Sequence, residues 1–596
     1  MNRNNDNEKY YIAAIIAAVF ILYGQSISFD YLRYDDSFCI FQNAYTNGTA
    51  SCSIVQYFIP GFIRQDVYIP LTFLLLRFTH MISGGAPWVF HLFSSVLYAC
   101  CCVTVFFFFK KLTAFASEFK GFEKAFISKY ADRIYGKDFL PFMAALIFAV
   151  LPCHIENTAW ISSIGYSPAV ITGLLSIMLF LSYVETKNIS MYVSSAALFI
   201  AAVLFQQAAI VIPGLIIICI ACFRKNFLQE AVKAGVIYGS LCAGYMSMFM
   251  RHTVWTSSSK PLSLAEKLGF QGRYLFSMLI PTDLMPGYSR EQGTVFILIS
   301  AAVLALAIYM IFIKKSRLWL FCSLWHAAAL FPYSGIFFGK DICDRYLILP
   351  SIAASFLLAF HMLAFPLKAF RHRRALRLAP AGLLLLFYAA CAMIYIPVWS
   401  DSETFLSYAY YKNPRAIQFS GVYGMDCLQK GMPAKALEIS EAIILDGRDP
   451  YTGYSMKIQA LCSMNQNKKA LSACLEAMEK YPSLDAINEY AGNICFMEGD
   501  YERAYSYFTK ALSLYMKDNA GNDAVRNAAV KALEAAFRAK DEEKIIVLAS
   551  MLFPDIPQEI KDSKTRTYEN CIKFAESNKD SASSMFIMKA LELKQK

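Results

Sequence analysis

The chain has few charged residues for its length. Only 17% of its 596 residues are Asp, Glu, Lys or Arg, and 57% are apolar, whereas soluble proteins carry about 25% charged residues. This composition argues against a wholly soluble protein. The net charge of +11 does not indicate nucleic-acid binding, because the basic residues stand mainly between long apolar runs, as they do in membrane proteins.

The cysteines form none of the common metal or haem motifs. The chain has seventeen of them but no CxxCH sequence, and its single CxxC, Cys219 to Cys222, lies inside an apolar run with no second pair, so neither a zinc ribbon nor a c-type haem is predicted. Most lie inside apolar runs, where a thiol packs as a small apolar group. Cys39 and Cys52 share one loop, and they can form a disulfide if that loop is extracytoplasmic.

Long apolar runs predict an all-α membrane domain of about eleven transmembrane helices over residues 1–398. No small-residue cleavage site follows the first run, which therefore predicts a retained span and not a signal peptide. A run of about 20 apolar residues crosses the hydrocarbon core of a bilayer. The predicted spans are residues 11–29, 87–109, 139–153, 166–184, 191–206, 208–223, 232–250, 294–313, 318–337, 346–366 and 378–397.

The basic residues predict the orientation of these spans. With the N-terminus in the cytoplasm, the inner segments contain about twice as many Lys and Arg residues as the outer loops, including KKSR at 314–317. This arrangement puts the C-terminal domain outside. We expect a bacterial plasma membrane, with the endoplasmic reticulum as the alternative. In the second case Asn47, in the sequence NGT, would be a glycan acceptor.

Residues 399–596 predict an extracytoplasmic α-helical solenoid. Ala436, Ala470 and Ala504 recur at an interval of 34 residues, and Gly424 and Gly492 precede two of them by twelve. A 34-residue period with small residues where paired helices cross is the tetratricopeptide signature. Such arrays bind extended peptides or partner proteins on a concave surface. The alternative is a structural support for the membrane domain.

Polar residues gather on the predicted outer face, at helix ends or in loops. Adjacent carboxylates can supply a general base for an acceptor hydroxyl, and a guanidinium can bind a phosphate through two parallel hydrogen bonds. A metal site at His154 is not predicted, since no third ligand stands at metal-site spacing; a divalent metal stays an open alternative. These outer-face residues are Asp35, Asp36, His154, Glu156, Gln206, Gln207, Asp341, Asp344 and Arg345.

Five segments, in order along the chain, resemble motifs of the polytopic GT-C glycosyltransferases. The likeness is to the protein O-mannosyltransferase-like group that carries C-terminal tetratricopeptide repeats, and it covers nearly the whole chain. The segments are RYDDSFCIFQN at 33–43, VYIPLTFLLLRF at 67–78, GGAPWVFHLFSSVLYACC at 84–101, LIFAVLPCHIENTAWISSIGYSPAV at 146–170 and LFPYSGIFFGKDICDRYLILP at 330–350.

This resemblance implies an inverting enzyme that takes a sugar from a polyprenyl-phosphate carrier (undecaprenyl phosphate in bacteria) and needs no other cofactor. It implies that Asp35 is the general base and that Asp36 helps to position donor or acceptor. Arg345, Asp344 and Tyr346 would face the carrier phosphate. The residues implied to line the rest of the site are His154, Glu156, Tyr68 and His91.

The chain also departs from the family pattern at positions where cations or a histidine are common. Leu151 replaces the first His of a His-Pro-x-His motif, and Ile69 replaces the Arg of Tyr-Arg-Pro-Leu. The sequences GYSP at 165–168 and FQQAA at 205–209 stand where the family commonly has Lys or Arg. Loss of these cations predicts a different sugar or a different placement of the phosphate.

The predicted function is therefore a membrane glycosyltransferase that modifies a hydroxyl of a protein acceptor on the extracytoplasmic face. In this hypothesis the repeat domain recruits the acceptor or another partner. One alternative is a related enzyme that glycosylates an envelope glycan or lipid. Another is a transporter or assembly scaffold without catalysis, although a transporter is expected to show internal repeat symmetry, which this sequence lacks. Neither the sugar nor the acceptor residue is predicted.

Overall fold

The computed structural model describes residues 2–64, 67–117, 138–224, 227–252, 262–288, 292–333, 342–369, 378–414, 416–482, 484–517 and 522–541, with a few isolated positions besides. These residues are helical or irregular, and one isolated bridge pairs Tyr288 with Ile342. The chain divides into two compact units, Met1–Asn413 and Pro414–Lys596. The first unit extends past the predicted boundary at 398 because a further helix, Ser402–Lys412, packs within it.

The first unit is a bundle of apolar helices joined by turns and loops of different lengths. Each apolar run predicted as a span coincides with one of these helices. The helices are α1 (Asn2–Tyr23), α2 (Ala44–Asn47), α3 (Pro70–Ser83), α4 (Pro87–Ser117), α5 (Phe139–Val150), α6 (Ile155–Ala159), α7 (Tyr166–Thr186), α8 (Ile189–Phe205), α9 (Ile212–Phe223), α10 (Phe227–His252), α11 (Leu264–Leu279), α12 (Thr294–Ile308), α13 (Arg317–Leu330), α14 (Pro350–Ala369), α15 (Ala379–Tyr395) and α16 (Ser402–Lys412).

Several of these helices are long and apolar enough to cross a membrane. Five described helical stretches satisfy both criteria, namely Asn7–Ser28, Pro87–Ala116, Ile161–Thr186, Thr294–Ile313 and Ala379–Trp399. The pair Phe139–Val150 and Pro152–Ala159 passes only jointly, with a bend of 58° at its break. Three other apolar helices are shorter, Ile189–Phe205, Gln207–Phe223 and Pro350–Ala364. The protein is thus a helical protein compatible with a membrane, and the count of eleven spans stays a prediction.

The loop between α1 and α4 is more structured than the sequence indicates. It contains a π-turn at Ser37–Phe41, the short helix α2 and the fourteen-residue helix α3. Phe73 and Leu76 of α3 pack on Tyr31, Ile40 and other buried residues of one apolar cluster. The loop is therefore a folded layer and not a solvated connection.

The disulfide considered for this loop is not formed. Cys39 and Cys52 are both free thiols. Cys39 is buried under the π-turn, where the Arg64 guanidinium donates to its sulfur at 3.2 Å. Cys52 is half-buried against the apolar cluster of the loop. Each thiol has its own packing environment, and the bridge that the sequence allowed is not present.

The second unit is a succession of helices in which each packs on the next. Its helices are α17 (Ile417–Gln429), α18 (Pro433–Asp446), α19 (Pro450–Ser463), α20 (Asn467–Lys480), α21 (Asp485–Met497), α22 (Tyr501–Lys517) and α23 (Asn522–Ala539). Weaker helical repeats are predicted over residues 520–596; α23 covers part of this range, and nearly all of the rest lies outside the described residues.

Small residues in the second unit stand where helices pass close to each other. Ala436, Ala470 and Ala504, the alanines of the 34-residue period, are all fully buried. A Cβ atom added to Gly492 would lie 2.6 Å from the ring of Phe508, which is too close for any larger residue without movement. These positions are small because neighbouring helices fill the space around them.

Candidate active site

The two acids of the first loop have different surroundings. Asp36 is only 1% exposed, whereas Asp35 is half-buried. The Asp36 carboxylate accepts the Leu32 backbone N–H at 3.0 Å through Oδ2. Its Oδ1 accepts the Ser162 backbone N–H at 3.0 Å and the Ser162 hydroxyl. The hydrogen bonds of Asp36 therefore link the first loop to the segment that follows α6.

The environment of Asp36 favours its neutral form. Burial raises its pKa to about 6, although the hydrogen bonds from Ser162 and Leu32 oppose this shift, and the neighbouring charge of Asp35 adds to it. Burial disfavours a carboxylate because the charge loses its hydration. With three protein donors on its two oxygens, Asp36 is positioned to organise the loop more than to receive a proton from a bound molecule.

Glu156 and Arg345 form a buried ion pair between distant parts of the chain. Pro152 follows α5 and redirects the chain into α6, which carries Glu156. The Glu156 Oε2 accepts the Arg345 backbone N–H at 2.9 Å, and its Oε1 accepts the Arg345 guanidinium. Glu156 is 2% exposed, while the Arg345 side chain is 21% exposed. The pair thus joins α6 to the turn at Asp344–Leu347.

Aromatic rings and an amide complete the surroundings of Arg345. Its guanidinium carbon lies 5.3 Å from the ring centre of Trp160 and 4.9 Å from that of Tyr346, distances at which cation–π attraction operates. The Asn157 side-chain amide donates to the Arg345 backbone carbonyl at 3.1 Å. Arg345 is therefore held in one place.

Asp344 is a third buried acid, next to the ion pair. The Tyr288 hydroxyl donates to its Oδ2 at 2.7 Å, while its Oδ1 has no hydrogen-bond partner among the described residues. Burial, with the nearby charge of Glu156, raises the pKa of Asp344 to about 7. The ring of Tyr288 is itself covered by the Arg273 guanidinium, 4.1 Å from its centre.

One segment, residues 154–163, connects these groups. Its Ser162 binds Asp36, its Glu156 binds Arg345, and its Trp160 contacts both Arg345 and Tyr34, with 6.0 Å between the ring centres of Tyr34 and Trp160. The described contacts thus bring together five of the predicted residues, which are Asp36, Glu156, Asp344, Arg345 and Tyr346.

His154 lies within the helix packing. The Ser351 hydroxyl is 2.7 Å from its Nε2, and the Tyr98 hydroxyl and the Phe148 carbonyl are 2.8 and 3.0 Å from its Nδ1. Both ring nitrogens are occupied by protein groups, so His154 joins α4, α5 and α14. Among the described residues, no group of three or more His, Cys, Asp or Glu side chains is placed to hold a metal ion.

Tyr68 and His91 hold the two ends of the first loop. The Tyr68 hydroxyl donates to the Phe58 carbonyl at 2.9 Å, and its own carbonyl accepts the Tyr245 hydroxyl. His91 is buried, with Nε2 3.4 Å from the Asp30 carbonyl. No described hydrogen bond links either residue to the acid cluster. Asp341, the other predicted outer acid, lies outside the described residues.

Several residues of the cluster are not identifiable from the sequence. Tyr288 and Arg273 belong to no motif, Ser162 stands in the segment 146–170 without having been singled out, and the roles of all three depend on tertiary contacts. Trp160 had a weak signal, because it stands in the Ala-Trp part of a segment already singled out.

A small cavity unites the two places where the sequence departs from the family pattern. Tyr166 of GYSP and Gln206 of FQQAA line the same space of about 10 Å³ together with Tyr333 and Tyr346. The rings of Tyr333 and Tyr346 stack with 3.6 Å between their centres. The cavity has room for about one water. Three tyrosines and a glutamine thus line part of a mainly apolar space, and one of them, Tyr346, also contacts Arg345.

A larger apolar cleft lies on the far side of the turn that follows α13. It has a volume of about 620 Å³ and is lined only by apolar residues of α9, α10, α13 and their adjoining turns. Ala328 and Pro332 line this cleft, whereas their chain neighbours Ala329 and Tyr333 line the small cavity. The apolar cleft and the small cavity therefore adjoin.

Comparisons of the chain with protein-family models, with curated proteins and with solved structures find no match. The fold and the site define it as a helical protein with several membrane-compatible helices and a buried cluster of acids around one arginine.

Proposed function

We propose that the protein is a membrane glycosyltransferase that moves a sugar from a polyprenyl-phosphate carrier to a hydroxyl of a protein acceptor. The observation that carries this proposal is the gathering of Asp36, Glu156, Asp344 and Arg345 from three distant segments into one cluster of contacts. Buried ionisable groups are expensive to maintain, and groups with perturbed pKa values cluster at functional sites.

In the proposed reaction Asp35 acts as the general base. Its carboxylate takes the proton of the acceptor hydroxyl while that oxygen attacks the anomeric carbon of the sugar. The bond between the anomeric carbon and the carrier phosphate breaks, and the phosphate leaves with the bonding electrons. The attack from the opposite side inverts the anomeric centre. Asp35 is favoured over Asp36 because Asp35 is half-buried, whereas Asp36 is only 1% exposed and so is less accessible to an acceptor.

The proposed role of Arg345 is to stabilise the charge that develops on the leaving phosphate. Glu156 occupies part of its guanidinium and fixes its direction, while 21% of the side chain is exposed. A prepositioned cation costs little reorganisation when charge appears on a ligand. Asp344 and Tyr346 flank this position. The apolar cleft that adjoins the cavity beside Arg345 suits an isoprenoid chain.

The proposed reaction takes place on the extracytoplasmic side of the membrane. The excess of basic residues in the predicted inner segments supports a cytoplasmic N-terminus, and it puts the acid cluster and the second unit outside, in a bacterial periplasm or its equivalent. The alanines of the 34-residue period, buried between successive helices, support a tetratricopeptide array that recruits the protein acceptor.

The test compares sugar transfer by the wild type, Asp35→Asn and Asp30→Asn. Purified full-length protein in vesicles receives a polyprenyl-phosphate sugar, and transfer to a hydroxyl-bearing protein is measured. Loss of a general base lowers the rate about 10²–10⁴-fold. Asp30 is an exposed acid of the same loop, so its replacement should leave the rate unchanged. Equal rates for Asp35→Asn and wild type would contradict the assignment of Asp35.

A further inference from the structure

The first loop exposes an unusual number of large apolar side chains. They lie in the π-turn, in the 3₁₀ turn Ile54–Phe58, on α3 and at the start of α4, and they are Phe38, Phe41, Ile54, Val55, Ile59, Phe78, Met81, Ile82 and Trp88. Single exposed apolar residues are common on water-facing surfaces, but an extended set in one segment marks an interaction surface.

Helix α3 is apolar on two faces. One face is buried in the protein through Phe73 and Leu76. The other bears Phe78, Met81 and Ile82, spaced i, i+3 and i+4, and all three are exposed. A water-facing surface helix has a polar outer face, whereas a helix that is hydrophobic all round is surrounded by apolar material. Protein covers only one of the two faces of α3.

The segment also lacks the charges that a water-facing loop carries. Residues 37–63 contain no Asp, Glu, Lys, Arg or His. On α3 the guanidinium of Arg77 turns toward the loop, where it packs against Gly48. The apolar faces of the turns and of α3 therefore have few charged neighbours that would keep them in water.

We propose that this outer surface of the first loop lies in the interfacial region of the bilayer, in contact with lipid acyl chains. The loop starts and ends at membrane-compatible helices, Asn7–Ser28 and Pro87–Ala116, so both of its ends lie at the membrane. Trp88, exposed at the start of the second of these, is a residue type enriched at membrane–water interfaces. Amphipathic segments that lie in this plane bury their apolar face about 5–10 Å deep.

The acids of the first loop lie next to its exposed phenylalanine rings. Phe38 and Phe41 follow Asp35 and Asp36 within a single turn. If their rings enter the lipid, the acids stand at the level of the lipid headgroups, where the phosphate of any lipid-linked molecule lies. The inference about lipid contact depends on exposure and charge alone and does not rest on the proposed function.

The test uses a photoreactive amino acid, p-benzoylphenylalanine, placed singly at Ile54 or Met81 of the full chain in phosphatidylcholine vesicles. Both positions are about as exposed as Leu298 on α12, at 69%, 66% and 64%. Leu298 serves as the lipid-facing control, and Leu445 on α18, exposed by 90%, serves as the control in the second unit. Because the replaced side chains are exposed, the substitutions preserve the packing of the core.

After irradiation, lipid adducts are quantified by mass spectrometry. The expected yield at Ile54 and Met81 matches that at Leu298 and exceeds that at Leu445 by about tenfold, the preference of such side chains for hydrocarbon over water. A yield as low as that at Leu445 would overturn the proposal by placing the loop in water. A cross-linked species of twice the mass would also overturn it, since the partner would then be a second copy of the chain.

Discussion

The buried pair of Glu156 and Arg345 allows a test of the site that needs no substrate. Replacing Arg345 by Met removes the guanidinium and keeps a similar apolar stem. Glu156, 2% exposed, would then retain the Arg345 backbone N–H as a donor but would lose its countercharge. Removing one partner of a buried ion pair costs about 3–5 kcal/mol, because the other charge stays buried without compensation.

The double variant Arg345→Met/Glu156→Gln separates the pair from the rest of its surroundings. With both charges absent, no uncompensated carboxylate remains, so the double variant should be more stable than Arg345→Met alone. The coupling energy between the two positions should exceed about 1.5 kcal/mol, as measured for other close charge pairs. Lys412→Met is a suitable control, since Lys412 pairs with Asp283 at 2.9 Å with both side chains at least 40% exposed, and such pairs contribute at most about 1 kcal/mol.

The assay is denaturation by SDS in mixed micelles, followed by tryptophan fluorescence. All six tryptophans lie in the first unit, so the signal reports on the part of the chain that holds the pair. If the losses of the two single variants add up to that of the double variant within about 0.5 kcal/mol, Glu156 and Arg345 do not interact, and the described geometry is refuted. The described geometry would also be refuted if Arg345→Met lost as little stability as Lys412→Met.

Three further expectations concern single positions. Asp344 has a pKa raised from 3.8 to about 7 by burial, so the wild type should lose up to about 4 kcal/mol of stability as pH rises from 4 through 7; Asp344→Asn should flatten this dependence in the same SDS titration, and an unchanged slope would contradict it. Ser162→Ala removes a donor to the buried Asp36 carboxylate and should cost about 1–3 kcal/mol, whereas no loss would mean that the contact is unimportant. In the second unit, Ala436→Val inserts two methyl groups at a fully buried position and should cost about 1–3 kcal/mol, while the same change at exposed Ala434 should cost under about 1 kcal/mol; circular dichroism on heating distinguishes them, and equal losses would refute the tight packing at Ala436.

The parts of the fold that sequence predicted well are those fixed by local pattern. Apolar runs gave the positions of the first unit's helices because a helix satisfies its own backbone hydrogen bonds. The interval between Ala436, Ala470 and Ala504 pointed to close helix crossings, and all three are buried. The number of membrane spans did not follow in the same way, because length, bending and packing decide it. The break at Leu151 and Pro152, with its 58° bend, is an example.

The ionisable residues of the candidate site were predictable from the sequence, but the hydrogen bonds and ion pairs between them were not. Asp36, Glu156, Asp344 and Arg345 were singled out by residue type and position, but their pairing depends on long-range packing. The resemblance gave Asp35 the role of base and Asp36 a role in positioning, but only the fold shows that Asp36 binds Ser162. The apolar outer surface of the first loop was likewise not predictable, because the exposure of a residue depends on its tertiary contacts and not on its type.

The ion pair between Glu156 and Arg345 can form only late in the synthesis of the first unit. Glu156 and Arg345 are 189 residues apart, and chains grow at about 5–20 residues per second, so Glu156 waits roughly 10–40 s for its partner to be made. Asp36 waits in the same way for Ser162, 126 residues later. During that interval α5 and α6 carry an acid without its countercharge. A ribosome that pauses before residue 345 therefore prolongs the time during which Glu156 lacks its countercharge.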